Sequence, residues 1–266
     1  MTVGQETKTI LVTGATGGIG RAVSTRLAAA GHSLVLAARD SSKLAAIQTS
    51  LEEVSTASCR WISVDMGSDE SVAQFGAELD GSGLQLDGVV LMPPQPHSAS
   101  DPLPASEVWR GLFQMSFVGP LALLKSAIAT MRPDPANGKR CKIVIVSGIS
   151  SVQVLGHYAT SNVLRCAWVG EAKTLAFALG EKGIHVNTLS LGGTLAPWYQ
   201  EGLARRAAQA GIGYEERLSE ETANIPLRKY GTPEEVAVAV EGLLSPFSDH
   251  MTGLNILHDG GFTRAY

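Results

Sequence analysis

The segment Thr13-Gly-Ala-Thr-Gly-Gly-Ile-Gly20 follows a short apolar run and leads straight into an alanine- and leucine-containing stretch. Its glycines permit a tight turn and close backbone approach, and a helix starting there offers unpaired N–H groups with partial positive charge. The chemistry this predicts is diphosphate binding. A strand before the turn, a helix after it and a second strand about fifteen residues on supply the context the fingerprint needs. At the end of that second strand stands Ala37-Ala-Arg-Asp40. Ala38 sits where an acid would bind ribose hydroxyls, whereas Arg39 presents a planar, charge-assisted fork suited to a 2′-phosphate. NADP(H) is therefore expected over NAD(H); the alternative is that Arg39 is an ordinary surface arginine at a strand end.

A second group of residues lies around Tyr158. Tyr158 and Asn162 are spaced i, i+4, which puts both on one helix face, and Arg165 at i+7 continues the stripe. Arg165 turned inward would supply a permanent positive charge; turned outward it packs or solvates. Upstream, Ser147-Gly-Ile-Ser-Ser151 follows an apolar strand. On their own these serines read as turn residues. Of the six histidines, His32, His97, His185, His250 and His258 show no metal spacing and read mostly as surface or turn residues. His157 adjoins Tyr158, but helix neighbours diverge by about 100°. Cys59, Cys141 and Cys166 are odd in number and lack CxxC spacing, which disfavours zinc and fits a reducing, cytoplasmic compartment.

These residues have to be positioned by a βαβ pattern, in which short β-branched runs alternate with longer alanine- and leucine-rich stretches. Strands are predicted at Thr9–Thr13, Ser33–Ala37, Arg60–Val64, Gly88–Leu91, Lys142–Ser147, His185–Leu189 and Gly253–Leu257. Helices are predicted at Ile19–Ala30, Ser41–Val54, Ser68–Glu78, Ala105–Met131, Tyr158–Glu181 and Pro233–Leu244. Near-continuous apolarity marks several strands as covered on both faces of a parallel sheet. Thr232-Pro-Glu-Glu235 carries a helix start signal. Pro93–Pro104 reads as a loop, and Thr194–Asn224 as an irregular helical segment, either a substrate lid or a surface insertion.

At 266 residues, with 44% hydrophobic and 17% charged residues, the chain suits one domain over 1–266. The 21 Lys+Arg against 25 Asp+Glu give a charge of −4 and no basic stripe, which disfavours nucleic acid. No basic, apolar leader is read at the N-terminus, and no apolar run is read as approaching a bilayer span, so secretion and membrane insertion are disfavoured.

The pattern TGxxxGIG, carried by Gly14, Gly18 and Gly20, resembles the short-chain dehydrogenase/reductase family, particularly its single-domain type that includes ketoacyl-carrier-protein reductases. The resemblance extends to Asp65, Tyr158, Val186-Asn187, Ile225-Pro-Leu-Arg228, Gly231-Thr-Pro-Glu-Glu-Val-Ala237 and Thr252-Gly with Asp259-Gly-Gly261. It implies a doubly wound Rossmann fold, a mainly parallel seven-stranded sheet with helices on both faces. It also implies a dinucleotide held by Gly14, Thr16, Gly18, Ile19, Gly20, Arg39, Asp65, Met66, Met92, Asn162, Gly192 and Thr194. Asp65 would contact adenine, with strand-end capping as its alternative.

Against that family pattern the nicotinamide half departs. The family's YxxxK frame here carries Asn162 in place of lysine, and the family's carbonyl-polarising serine falls on Gly148 in one register, with Ser147 or Ser150 in the oxyanion-stabilising place in others. Met92 and two prolines replace the family's NNAG, Ser116 stands at its central-helix asparagine, and Leu191-Gly192 replaces Pro-Gly. A phenol ordinarily titrates near 10, and the family's lysine favours its phenolate. Asn162 supplies a hydrogen bond to the ribose but no charge, so Tyr158 is better fitted to act as an acid in reduction than as a base in oxidation. Trp198 and Tyr199 would face the substrate or pack in the core.

The leading expectation is an NADPH-dependent reductase of a keto group, on a small-molecule or carrier-bound acyl substrate such as a β-ketoacyl thioester. A non-redox reaction of an acyl intermediate (dehydration, isomerisation or cyclisation) and a non-catalytic nucleotide- or partner-binding subunit stand as alternatives. The resemblance also implies a homodimer or homotetramer pairing the two long helices.

Overall fold

In strand β1 (Thr9–Thr13), Ile10 and Val12 point to one face, Leu11 points to the other, and all three are fully buried. That continuous apolarity is what a strand covered on both sides requires. The computed structural model describes residues 7–95 and 100–265, so His97 and part of the predicted 93–104 loop lie outside the described residues. After β1 come α1 (Gly18–Ala29), β2 (Ser33–Ala38), α2 (Ser41–Glu52), β3 (Cys59–Ser63), α3 (Asp69–Gly81) and β4 (Gly88–Leu91). The second half holds α4 (Ser106–Phe113), α5 (Gly119–Thr130), β5 (Cys141–Gly148), α6 (Ala159–Leu179) and β6 (Ile184–Leu191). It closes with α7 (Pro197–Ala210), α8 (Tyr214–Thr222), α9 (Pro233–Leu244) and β7 (Asn255–His258).

The strands form one sheet in the order β3-β2-β1-β4-β5-β6-β7, and every pair is parallel. This is the doubly wound Rossmann arrangement, with the order reversing between β1 and β4. Two apolar layers cover it. Val23, Leu27, Leu44, Val236 and Val240 of α1, α2 and α9 fill one face, while Phe75, Leu123, Leu124 and Trp168 of α3, α5 and α6 fill the other. Thr232 caps α9 reciprocally with Glu235, as the Thr-Pro-Glu-Glu signal predicts.

Several expectations need correction. The helix expected over 105–131 is interrupted by a π-helical turn at Gln114–Val118, where Gly119 must pass close to the β3–α3 junction. A Cβ on Gly119 would come within 1.8 Å of the Met66 carbonyl oxygen, so the helix widens there rather than running straight. An 18-residue window within 106–130 has a mean hydropathy of 1.4, so by length and composition this stretch passes the test for a membrane span, as the core helix of a soluble protein also can. Its Leu123, Leu124 and Ala127 face is used against the sheet. The irregular segment 194–224 is two defined helices, α7 and α8. His32 and His185 are buried rather than surface residues, with burial pulling both imidazoles below their ordinary value. Strand ends shift by one or two residues, β5, β6 and β7 running further toward their C-termini than expected.

Burial also separates the cysteines. It pushes the Cys59 and Cys141 thiols up to about 11, whereas Cys166 is exposed. Because the thiolate is the reactive form, Ellman's reagent at pH 8 should titrate at most one thiol per native chain within minutes and all three after denaturation. Fast reaction of a second thiol in the native protein would contradict the packing described for β3 and β5.

Candidate functional site

The glycine turn connects β1 to α1 at the C-terminal edge of the sheet, beside the point where the strand order reverses. Gly14 has φ +61°, a left-handed conformation that side chains disfavour. Gly17 N–H donates to the Gly14 carbonyl at 3.0 Å, folding the turn back on the helix. A Cβ on Gly20 would lie 2.1 Å from that carbonyl oxygen, and one on Gly18 would lie 2.5 Å from Pro197 Cδ at the start of α7. The turn therefore closes only with glycine at 20, and α7 docks on it only with glycine at 18.

Arg39 and Asp65 end neighbouring strands, on the side of the turn away from β4. The Arg39 side chain is exposed and makes no ion pair among the described residues. Its neighbour Asp40 is occupied elsewhere, capping α2 through the Lys43 N–H at 3.0 Å and pairing with the Lys43 ammonium. Asp65 accepts the Gly67 N–H at 2.9 Å through Oδ1, a turn-capping role that leaves Oδ2 without a protein partner among the described residues. Met66 is buried behind it. Thr16 is half-buried in the turn itself.

Beyond the turn opens a cavity of about 410 Å³. Ile19, Met92, Gly192 and Thr194 line it, as do Ser147, Gly148 and Tyr158. Met92 is fixed by its N–H donating to Thr13 Oγ1 at 2.7 Å, which ties β4 to β1. The far wall is aromatic, built from Trp198, Tyr199, Tyr230 and Phe262. Gly193 admits the Tyr230 ring, since a Cβ there would lie 2.1 Å from it. Beside these rings Glu221 also lines the cavity and accepts from Tyr199 at 3.3 Å, Tyr230 at 3.2 Å, and Arg206 and Arg217 each at 2.8 Å. Burial works to raise the Glu221 carboxyl, and the two guanidiniums overcome it and hold it below the carboxylate range. Burial pushes the Tyr199 and Tyr230 phenols up, so both stay neutral, and the charge on this side of the cavity is the Glu221 carboxylate, paired with Arg206 and Arg217.

Tyr158 precedes α6 as its N-cap, with φ −125° and ψ 38°. Because that backbone is not helical, the expected divergence from His157 does not apply: the two rings lie 4.3 Å apart and both residues line the cavity. Arg165 turns inward, its Cζ 5.1 Å from the centre of the Tyr158 ring. Its Nη1 donates to Ser150 Oγ at 3.0 Å, and its Nε and Nη2 donate to Gln95 Oε1 at 3.2 and 3.0 Å.

Three sequence candidates stand elsewhere than expected. Asn162 is not on the cavity wall; its amide is spent on the Leu155 backbone, donating to the carbonyl at 3.1 Å. Ser150 is buried behind the wall and serves Arg165. Ser147 lies in the wall, but its Oγ is sealed from solvent and has no hydrogen-bond partner among the described residues. Gln95, Glu221 and Tyr230 carry no local sequence signal, because each reaches the cavity through tertiary packing alone. Among the described residues no group of three His, Cys, Asp or Glu gathers as a metal site.

A family model described as enoyl-(acyl carrier protein) reductase matches residues 14–263. Glucose 1-dehydrogenase of Gluconobacter oxydans is 26% identical over 260 residues, covering 96% of this chain and 92% of the relative. The crystal structure of L-sorbose reductase from Gluconobacter frateurii, complexed with NADPH and L-sorbose, superposes with a TM-score of 0.90 at 24% identity and covers 100% of both chains. An NADPH-bound short chain oxidoreductase from Pseudomonas aeruginosa, described as containing an atypical catalytic center, gives 0.85 at 24% identity over 97% of this chain and 98% of that one.

Proposed function

Since this chain belongs to the short-chain dehydrogenase/reductase family, we propose that it is an NADPH-dependent oxidoreductase that reduces a keto group, with Tyr158 as the proton donor. The observation that carries this reading is the pairing of a glycine cradle with no room for a Cβ at Gly20 and a tyrosine in the wall of the cavity just beyond it.

The cradle fits a dinucleotide. The α1 N-terminus directs backbone N–H groups at a diphosphate, and Gly14, Thr16, Gly18 and Gly20 shape the approach. Arg39, free of Asp40, holds the 2′-phosphate, and Asp65 and Met66 border the adenine. Ile19, Met92, Gly192 and Thr194 border the nicotinamide end. When bound, NADPH supplies a hydride to the keto carbon. Tyr158 then gives its phenolic proton to the oxygen and recovers one from solvent. Asn162 acts by holding the loop that carries His157 and Tyr158, through the Leu155 backbone.

The aromatic side chains of the far wall favour a keto substrate with an apolar portion, and the cavity volume lies in the range of small-molecule sites. A short β-ketoacyl thioester, free or carrier-bound, meets both conditions. The segment 194–224 serves as the substrate lid, with α7 resting on Gly18 and Glu221 clamping α7 to α8. The same reading includes a cytoplasmic homodimer or homotetramer joined along α4–α6; Val163 and the 85% exposed Phe177 on α6 and Val118 in the π-helical turn support it.

Calorimetric titration with NADPH and NADH tests the cofactor, alongside NADPH oxidation with the N-acetylcysteamine thioester of acetoacetate. NADPH should bind more tightly than NADH. Arg39→Ala should weaken NADPH by about 10- to 100-fold, the value of one lost charge-assisted hydrogen bond, and leave NADH nearly unchanged. Equal loss for both dinucleotides would remove Arg39 from the 2′-phosphate. Thioester turnover without NADPH oxidation would replace the reductase reading with a non-redox reaction.

A further inference from the structure

We propose that the Arg165 guanidinium is the group that receives the substrate oxygen and stabilises the alkoxide formed on it, which makes Arg165 a catalytic residue; this rests on the reductase reading above. The first observation is steric. A Cβ on Gly148 would lie 2.6 Å from Arg165 Cζ and 2.7 Å from Nη1. The guanidinium thus occupies the volume that any side chain at 148 would fill, on the cavity wall and 5.1 Å from the Tyr158 ring centre.

The second observation concerns its partners. Ser150 and Gln95 engage Nη1, Nε and Nη2, and both are neutral acceptors. A guanidinium has five N–H donors in a rigid fork, so one N–H on each terminal nitrogen is left for a ligand. No carboxylate pairs with Arg165 among the described residues, although its partial burial pulls it below its ordinary value. A desolvated cation without a counter-ion is costly unless an anion forms beside it. Ser147, the other polar candidate in this wall, has its hydroxyl sealed away, whereas the guanidinium borders the open volume.

The step balances. As the hydride pair adds to the keto carbon, the C=O π pair moves onto oxygen, and the resulting alkoxide lies against the Arg165 N–H groups. The alkoxide takes the Tyr158 phenolic proton to give the alcohol, and the transient phenolate beneath the guanidinium is reprotonated from water. NADPH is the reductant and NADP⁺ leaves.

The test joins a binding readout to a kinetic one. The enolate of dimedone, an oxyanion at neutral pH, is titrated into wild type, Arg165→Gln and Gly148→Ala, with and without NADP⁺. Binding to wild type should weaken at least tenfold in Arg165→Gln and likewise in Gly148→Ala, where the arginine is kept but displaced. Equal binding to all three, or none to wild type, overturns the assignment. In parallel, NADPH oxidation is followed with ethyl acetoacetate and with acetoacetate. Arg165→Ala should lose about 10²- to 10³-fold in kcat on the neutral ester, with NADPH affinity unchanged and partial rescue by added guanidinium. A loss confined to the KM of acetoacetate would make Arg165 a carboxylate anchor and refute the proposal. A wild type that binds dimedone through Arg165 but oxidises no NADPH with either ketone would refute the reductase reading and leave the oxyanion assignment standing.

Discussion

Tyr158→Phe should lower NADPH oxidation with the acetoacetyl thioester by about 10²- to 10⁴-fold, the usual contribution of a positioned general acid, without weakening dinucleotide binding. The substitution removes one oxygen and keeps the ring, so the 4.3 Å approach of His157 and the Arg165 cation–π contact at 5.1 Å survive. What disappears is the proton that the new alkoxide must take. The loss should fall on kcat rather than KM, because the phenol acts on charge developed in the transition state. His157 offers a control for the assignment: it shares the wall, and if His157→Ala matched the loss while Tyr158→Phe kept full turnover, the proton donor would be the imidazole.

The sheet was readable because buried parallel strands leave an unambiguous mark: Ile10, Leu11 and Val12 are apolar on successive residues, and only cover on both faces makes that stable. The glycine turn is legible because most of its requirement is local: Gly14 takes a left-handed backbone and Gly20 clears the Gly14 carbonyl, while only Gly18 answers a remote residue, Pro197. The catalytic half is another matter. Sequence spacing groups Tyr158 with Asn162 and Arg165 as one stripe, yet Tyr158 stands outside the helix, Asn162 turns to the Leu155 backbone, and Arg165 alone of the other two reaches the cavity. The reason is that Gly148, on β5, vacates the space the guanidinium enters from α6. Nothing in the run from Tyr158 to Arg165 encodes that vacancy. Likewise Gly193 looks like a turn glycine in sequence but admits Tyr230 from nearly forty residues on, and Gly119 breaks an otherwise regular helical pattern to clear the Met66 carbonyl. Where a residue's role depends on what a remote glycine leaves out, periodicity has no purchase on it.

Gly20→Ala should produce the largest loss of binding in the molecule, because its new methyl meets backbone rather than a side chain that can rotate away. The added Cβ would sit 2.1 Å from the Gly14 oxygen, 2.7 Å from the Gly14 carbonyl carbon and 2.8 Å from Ala15 Cα. Relief requires opening the turn itself, which moves the N–H groups of the α1 N-terminus off the diphosphate and strains the β1–α1 junction. Forced overpacking of this kind is expected near the upper end of its usual range, about 3 kcal/mol, or a fall in Tm of roughly 6–12 °C for a chain of this size. NADPH affinity should fall by at least tenfold, since a helix terminus binds an anion only while its N–H groups converge. Gly81→Ala, at the end of α3, is the matched comparison. A Cβ there meets nothing within 4 Å, and alanine is favoured over glycine in a helix by up to about 1 kcal/mol, so this variant should be neutral or slightly stabilised and should bind NADPH as wild type does. Thermal melts and NADPH titrations on the pair separate the general effect of losing a glycine from the specific demand of the turn. If Gly20→Ala melted and bound NADPH like Gly81→Ala, the turn would not be the diphosphate cradle, and the dinucleotide would have to be sought elsewhere along the sheet edge.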